Sequence, residues 1–236
     1  MRKCEACIDS LYHGSAVDGR GLRSVVFFNG CNLRCGFCQN PETLYTKGRM
    51  IELDELVNRL VRYKPYVRKG GVTLSGGEPF MQAKFCRELL RRLAAEGMKV
   101  CIESNGHLID RELIALSEYI ILDVKNQDEE ISPKVYEFVA ACKEEGTPVL
   151  LTNVLVPGCN DDEAHLGALK RLMVYAGLER IKFLPFRKLC IHKYEDLHME
   201  YAYAKYREAT SEDVEQAQAV MQRIEQIGRA SCRERV

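Results

Sequence analysis

The chain is predicted to be an α/β protein built on a parallel sheet, and three observations carry this. Six short, nearly continuous apolar runs of strand length recur along it, at 23–28, 70–76, 99–103, 119–125, 148–158 and 180–186. Stretches with helical apolar spacing separate most of them, and strands buried on both faces with helical crossovers make a parallel sheet. The residues of unusual chemistry sit where the runs end, and in such sheets sites form at the C-terminal ends of the strands. Periodicity alone does not separate an open sheet from a barrel.

The 236 residues suffice for one sizeable core, and a single domain over 1–226 is expected. Lys+Arg and Asp+Glu balance at 34 each, so no global field points to nucleic acid or an anionic membrane. No apolar run approaches the about 18 residues needed to span a bilayer, and the charged N-terminus lacks a secretory core. Eleven cysteines, odd in number and scattered, argue against a disulfide framework. Thiols in a reducing cytoplasm fit better.

In order, residues 1–22 read as irregular, rich in Gly and Asp, with Cys4 and Cys7 incidental. The strand Arg23–Phe28 closes on Asn29-Gly30. A helix is predicted over 51–61, with acids in its first turn. The run at 70–76 ends in Gly76-Gly77-Glu78-Pro79. A helix over 83–96 stops at Gly97, a C-cap. The run at 99–103 closes on Ser104-Asn105-Gly106, and a short helix spans 111–118. The run at 119–125 ends in Asp123-Val124-Lys125. Helices follow over Pro133–Glu144, ended by Gly146, and over 162–175, ended by Gly177. After 180–186 come a charged, Tyr-rich segment and an amphipathic helix over 212–226. Residues 227–236 break that pattern and read as one frame of a short-read sequencing adapter, so they are expected to be a non-native tail.

Cys31, Cys35 and Cys38 stand at C-x3-C-x2-C spacing directly after the first run. Three thiolates on one short loop can hold three irons of a cubane cluster, where four cysteines are usual, and the remaining iron then has an open position. The competing reading is a structural zinc module. Zinc sites pair C-x2-C with a second pair or with histidines, and the one candidate pair is Cys4 and Cys7.

With Phe37 before its third cysteine, the triplet resembles the C-x3-C-x-aromatic-C signature of the radical S-adenosylmethionine (radical SAM) enzymes. Residues 17–23 and 39–43 resemble the activating enzymes of glycyl radical enzymes, those of the pyruvate formate-lyase type above all. The similarity runs from about Ser15 to Gln226. It implies a partial (β/α)6 TIM-like barrel, a [4Fe-4S] cluster on Cys31, Cys35 and Cys38, and S-adenosylmethionine bound at the open iron. It also implies reductive cleavage to a 5′-deoxyadenosyl radical that takes a hydrogen from a glycine of a partner enzyme. Flavodoxin or ferredoxin is the implied electron donor, and a monomer is expected.

The same resemblance assigns further residues. Gly76 and Gly77 let backbone carbonyls approach the methionine ammonium, with the charge of Glu78 nearby; a plain strand-to-helix turn is the alternative. Glu103 stands where relatives carry aspartate against that ammonium. Lys125 meets the methionine carboxylate, and a Glu103–Lys125 salt bridge is the alternative for both. Asp123 joins Glu103 in a site for a monovalent cation. Asn40 lies near the ribose or forms an Asn-Pro turn. Two positions depart from the pattern: Thr152 stands in place of an arginine and Arg187 in place of a histidine, so Arg187 is expected to take over part of the carboxylate or ribose contact. His192 and His198 read as surface residues. An activase for anaerobic ribonucleotide reductase and a radical enzyme acting on a small molecule are the alternatives within the family.

Overall fold

The computed structural model describes residues 4–125 and 128–233, the last helix from 225 onward by its backbone alone. The elements follow in order as β1 Glu5–Ser15, β2 Arg23–Phe28, α1 Glu42–Tyr45, β3 Arg49–Glu52, α2 Leu53–Arg62 and β4 Gly71–Gly76. A 3-10 turn, Pro79–Gln82, leads into α3 Ala83–Ala95, β5 Val100–Ser104, α4 Arg111–Leu116 and β6 Ile120–Asp123. Then come α5 Pro133–Glu144, β7 Val149–Leu155, α6 Glu163–Ala176, β8 Ile181–Pro185, α7 Ile191–Asp196 and α8 Ser211–Arg233.

The strands form one sheet in the order β3-β1-β2-β4-β5-β6-β7-β8. From β2 to β8 the six predicted strands all pair in parallel. β3 and β8 are the sheet's edges, so the barrel is partial and open on one side.

Three expectations need correction. Residues 1–22 are not irregular, because β1 pairs antiparallel with β2 and β3. Bulges between Ile8 and Ser10 and between His13 and Ser15 break its period of two, which hid it from pattern reading. The helix predicted from 51 begins at Leu53, because Ile51 is drawn into β3 opposite Ala6. The last helix runs to Arg233 rather than stopping near 226, in a stretch that holds no proline to break it.

The core lies between the sheet and its helices. Val26, Phe28, Leu74, Ile102 and Leu122 from the strands pack on Leu60, Leu89, Leu93, Phe138 and Leu169 from the helices. A second, aromatic cluster of Phe37, Phe186, Tyr194 and Tyr201 sits beside the cysteine loop. At the opposite, N-terminal end of the strands Arg23 is 1% exposed. Its guanidinium donates to Thr73 Oγ1 at 2.7 Å, to the Val72 carbonyl at 2.7 Å and to the Gly70 carbonyl. A buried guanidinium is tolerable because these acceptors satisfy it.

The end of β4 is fitted to the start of the cysteine loop by backbone contact. Gly77 N–H donates to the Phe28 carbonyl and Glu78 N–H to the Gly30 carbonyl, both at 2.8 Å. A Cβ on Gly77 would stand 1.9 Å from the Gly30 oxygen, and one on Gly76, at φ +103°, 2.4 Å from Phe28 N. The glycines are thus required for strand-to-loop contact, whatever they do for a ligand. Gly77→Ala should cost more than the about 1–3 kcal/mol typical of overpacking. Gly146→Ala, at φ +71° with open space around it, should cost only the left-handed backbone penalty of about 1–2 kcal/mol. Urea unfolding of the two variants checks the ranking; equal losses would contradict it.

Candidate active site

A cavity of about 250 Å³ opens at the C-terminal ends of β2, β4, β5 and β6. Cys31, Cys35, Phe37 and Cys38 form one wall of it, together with Asn40. Gly76 and Gly77 at the end of β4, Glu103 in β5, and Asp123 and Lys125 at the end of β6 form the other. Ten residues predicted for the site from sequence are therefore gathered in one place. Among the described residues, no group of three or more His, Cys, Asp or Glu converges closely enough to hold a single metal ion.

Local structure holds the cysteine loop. Gly30 N–H donates to the Thr43 carbonyl at 2.7 Å, and Cys38 N–H to the Cys35 carbonyl at 3.1 Å. Leu33 N–H points at Cys31 Sγ, 3.5 Å away. Tyr194 donates its hydroxyl to the Cys38 carbonyl at 3.1 Å. Tyr203 packs edge-on to Phe37 and lies over Gly36, where any Cβ would enter its ring. Burial raises the pKa of Cys31 and of Cys38, so without a metal these thiols keep their protons. Metal binding must displace them. Three soft sulfur donors on one loop are the set an iron–sulfur cluster needs.

The charges opposite are arranged in pairs. Lys125 bonds Asp123, not Glu103, and its ammonium lies 5.6 Å from the centre of the Phe37 ring. Burial works against the lysine's charge, but Asp123 holds its pKa above the ordinary value. Glu103 accepts the Ser75 hydroxyl at 2.6 Å. Burial, then the charge of Asp123, raises its pKa. Asp123 Oδ1 is buried without a hydrogen-bond partner, an oxygen left to accept from a ligand or bind a cation. The donor set, this orphan oxygen and the adjacent ammonium together fit a cluster with a zwitterionic ligand.

Two predicted residues do not line the cavity. Glu78 is 1% exposed and lies behind its wall. It accepts Phe80 N–H at 3.1 Å, Asn105 N–H at 2.9 Å and the Ser104 hydroxyl at 3.0 Å. It braces the strand ends instead of facing a ligand. Arg187 is turned away, its guanidinium donating to the Ala209 carbonyl and lying 3.9 Å from Glu208. Thr152, paired in register with Asp123, opens onto a neighbouring cavity of about 970 Å³ with its hydroxyl unpartnered. Asp18, Glu103 and Leu184 line both cavities. Asn40 lines the cavity, and its carbonyl accepts Thr43 N–H at 3.0 Å in the turn that follows. His192 and His198 are exposed, as expected.

Sequence reasoning missed Lys193, Tyr194, Tyr203 and Asn105. Lys193 reaches Asn40 Oδ1 at 3.1 Å and the Gln39 carbonyl at 3.0 Å. The Tyr-rich composition of 194–206 was the one signal for the aromatic support, and the Ser-Asn-Gly turn closing β5 the one signal for Asn105.

Residues 25–167 match the radical SAM superfamily. The pyruvate formate-lyase-activating enzyme of Staphylococcus epidermidis is 33% identical over 85% of this chain and 89% of its own. That of Clostridium pasteurianum is 31% identical over 93% and 97%. The pyruvate formate-lyase 1-activating enzyme of Escherichia coli K12 is 31% identical over 91% and 94%. Among solved structures, a radical SAM methyltransferase from Sphaerobacter thermophilus superposes with a TM-score of 0.58 at 17% identity, over 86% of this chain and 64% of its own. QueE from Escherichia coli gives 0.50 at 14%, over 83% and 92%. At those identities they speak to the fold, and the fold they share is the partial barrel.

Burial pushes Glu78 up from 4.5 to about 7, against hydrogen bonds from Asn105, Phe80 and Ser104. A carboxyl raised in the folded state stabilises the fold fully below its unfolded pKa and loses that contribution as pH rises through the folded one. The shift is worth about 3 kcal/mol. The stability of the metal-free protein relative to Glu78→Gln should therefore fall between about pH 4.5 and about pH 7. The lost acceptor in the variant adds only a constant offset. Urea midpoints across that window check the slope; a pH-independent difference contradicts it.

Proposed function

Because this chain belongs to the radical SAM superfamily, we propose that it activates a glycyl radical enzyme of the pyruvate formate-lyase type. A [4Fe-4S] cluster binding S-adenosylmethionine supplies reductive cleavage of the sulfonium to methionine and a 5′-deoxyadenosyl radical, which takes a hydrogen from the partner's glycine. The observation that carries the reading is the meeting of Cys31, Cys35 and Cys38 with Lys125, Glu103 and Asp123 in a single cavity at the strand ends.

The chain's own residues then divide the work. Cys31, Cys35 and Cys38 hold three irons as thiolates and leave the fourth open. Lys125 binds the methionine carboxylate, exchanging part of its bond to Asp123 for it. Glu103 and the backbone at Gly76 and Gly77 receive the ammonium. Asp123, with its orphan oxygen, and Glu103 hold a monovalent cation. Phe37 and Asn40 flank the cofactor. Arg187 takes no part, since its guanidinium is engaged with the Ala209 carbonyl.

The open side of the barrel, beside the larger cavity, supports a chain segment as substrate. Glycine suits this chemistry because no side chain blocks its Cα. The reading includes flavodoxin or ferredoxin as electron donor, a monomer, and a place in the cytoplasm; the many cysteines outside disulfides among the described residues support the last of these. Among the described residues, no helix is long and apolar enough to cross a membrane.

Cys31→Ala, Cys35→Ala and Cys38→Ala should each abolish iron uptake, while Cys4→Ala and Cys7→Ala should not; iron analysis after anaerobic purification checks this. Lys125→Ala should weaken S-adenosylmethionine binding about ten- to a hundredfold, since a charge-assisted bond is worth about 1.5–3 kcal/mol; unchanged binding by anaerobic calorimetry contradicts it. The reduced protein, mixed with S-adenosylmethionine and its partner, should give a glycyl-radical doublet in electron spin resonance that collapses with α-deuterated glycine. Consumption of a small metabolite instead, with the partner unreactive, would overturn the reading.

A further inference from the structure

Asn105 ends the β5 turn and is 4% exposed. Its backbone N–H is fixed by the Glu78 carboxylate at 2.9 Å. Its side-chain oxygen accepts His107 N–H at 3.0 Å. That bond decides which way the amide faces, because only the oxygen can accept from a backbone donor. The nitrogen is thereby aimed at the cysteine loop, where it donates to Asn32 Oδ1 at 2.9 Å and toward Cys31 Sγ at 3.8 Å. The two N–H groups of one amide so serve two acceptors, and one of these is a cysteine sulfur lining the cavity.

We infer that Asn105 sets the reduction potential of the cluster through this N–H···S contact with Cys31. The inference rests on the cluster proposed above. An electron added to an iron–sulfur cluster increases the negative charge on its sulfurs, so a donor to sulfur favours the reduced state. The effect is stronger in a buried site, where the dielectric screens less. Asn105 therefore raises the potential and makes the cluster easier to reduce. It is a positioning residue: it acts through Cys31 and is held in place by Glu78 and His107.

The test is an anaerobic redox titration of the cluster-loaded protein, followed by the electron spin resonance signal of the reduced cluster. Asn105→Leu and Asn105→Ala remove the donor without adding charge. Each, loaded to the wild-type iron content, should be about tenfold harder to reduce, about 59 mV for a one-electron couple. Asn32→Ala removes only the competing acceptor, and its potential should stay at or above that of the wild type. Midpoints unchanged in the Asn105 variants would overturn the inference, as would an equal fall in Asn32→Ala. Loss of the cluster from both Asn105 variants, with Asn32→Ala loaded, would also overturn it by making Asn105 merely structural. A wild-type protein that takes up no cluster refutes the proposed function instead.

Discussion

The geometry of the strand ends depends on one buried carboxylate. Glu78 follows β4 and accepts hydrogen bonds from Ser104 at the end of β5, from Asn105 just beyond it, and from Phe80 in its own turn. Its backbone N–H, with that of Gly77, ties the same turn to the cysteine loop beyond β2. Three adjacent parallel strands are thus joined at the end where the cysteines emerge. A carboxylate in such a place is costly unless its oxygens are filled, and here each accepts at least one bond. Neutralising it relieves the desolvation, and burial is why its pKa lies high even though its oxygens accept hydrogen bonds from Asn105, Phe80 and Ser104.

From that brace follows the separation of charge across the cavity. Sulfur donors occupy the β2 side; Asp123, Lys125 and Glu103 occupy the ends of β5 and β6. Lys125 is kept charged by Asp123 and is directed across the face of Phe37. Asp123 spends one oxygen on Lys125 and keeps the other unbonded. Such partly satisfied polar groups are unfavourable in a closed core and reasonable where a ligand completes them.

Much of this was legible in the sequence, for physical reasons. β2 and α5 match their predicted limits to the residue. β2 is a continuous apolar run closed by Asn-Gly, and α5 is bounded by Pro133 and Gly146, the latter at φ +71°. The cysteine spacing and the Asp-x-Lys at the end of β6 are local patterns, and both sit in the cavity. What escaped reading depends on distant partners. β1 is disguised by the bulges in its pairing with β2. The direction of Arg187 is set by a carbonyl 22 residues away. Glu78 looked like a charge beside the ligand because its acceptor role depends on β5, 26 and 27 residues on. The tyrosines of the C-terminal segment support a loop more than 150 residues earlier, as the Tyr194 bond to Cys38 spans 156 positions.

The central claim is that three cysteines on this loop leave one iron open for a ligand held by the opposite wall. Mössbauer spectroscopy of the iron-57-enriched protein tests it most directly, recorded before and after S-adenosylmethionine is added. The expected result is a change at one iron of the cluster, with the other three unmoved, and its loss in Lys125→Ala at the same cofactor concentration. A spectrum in which bound S-adenosylmethionine alters no iron would contradict the account.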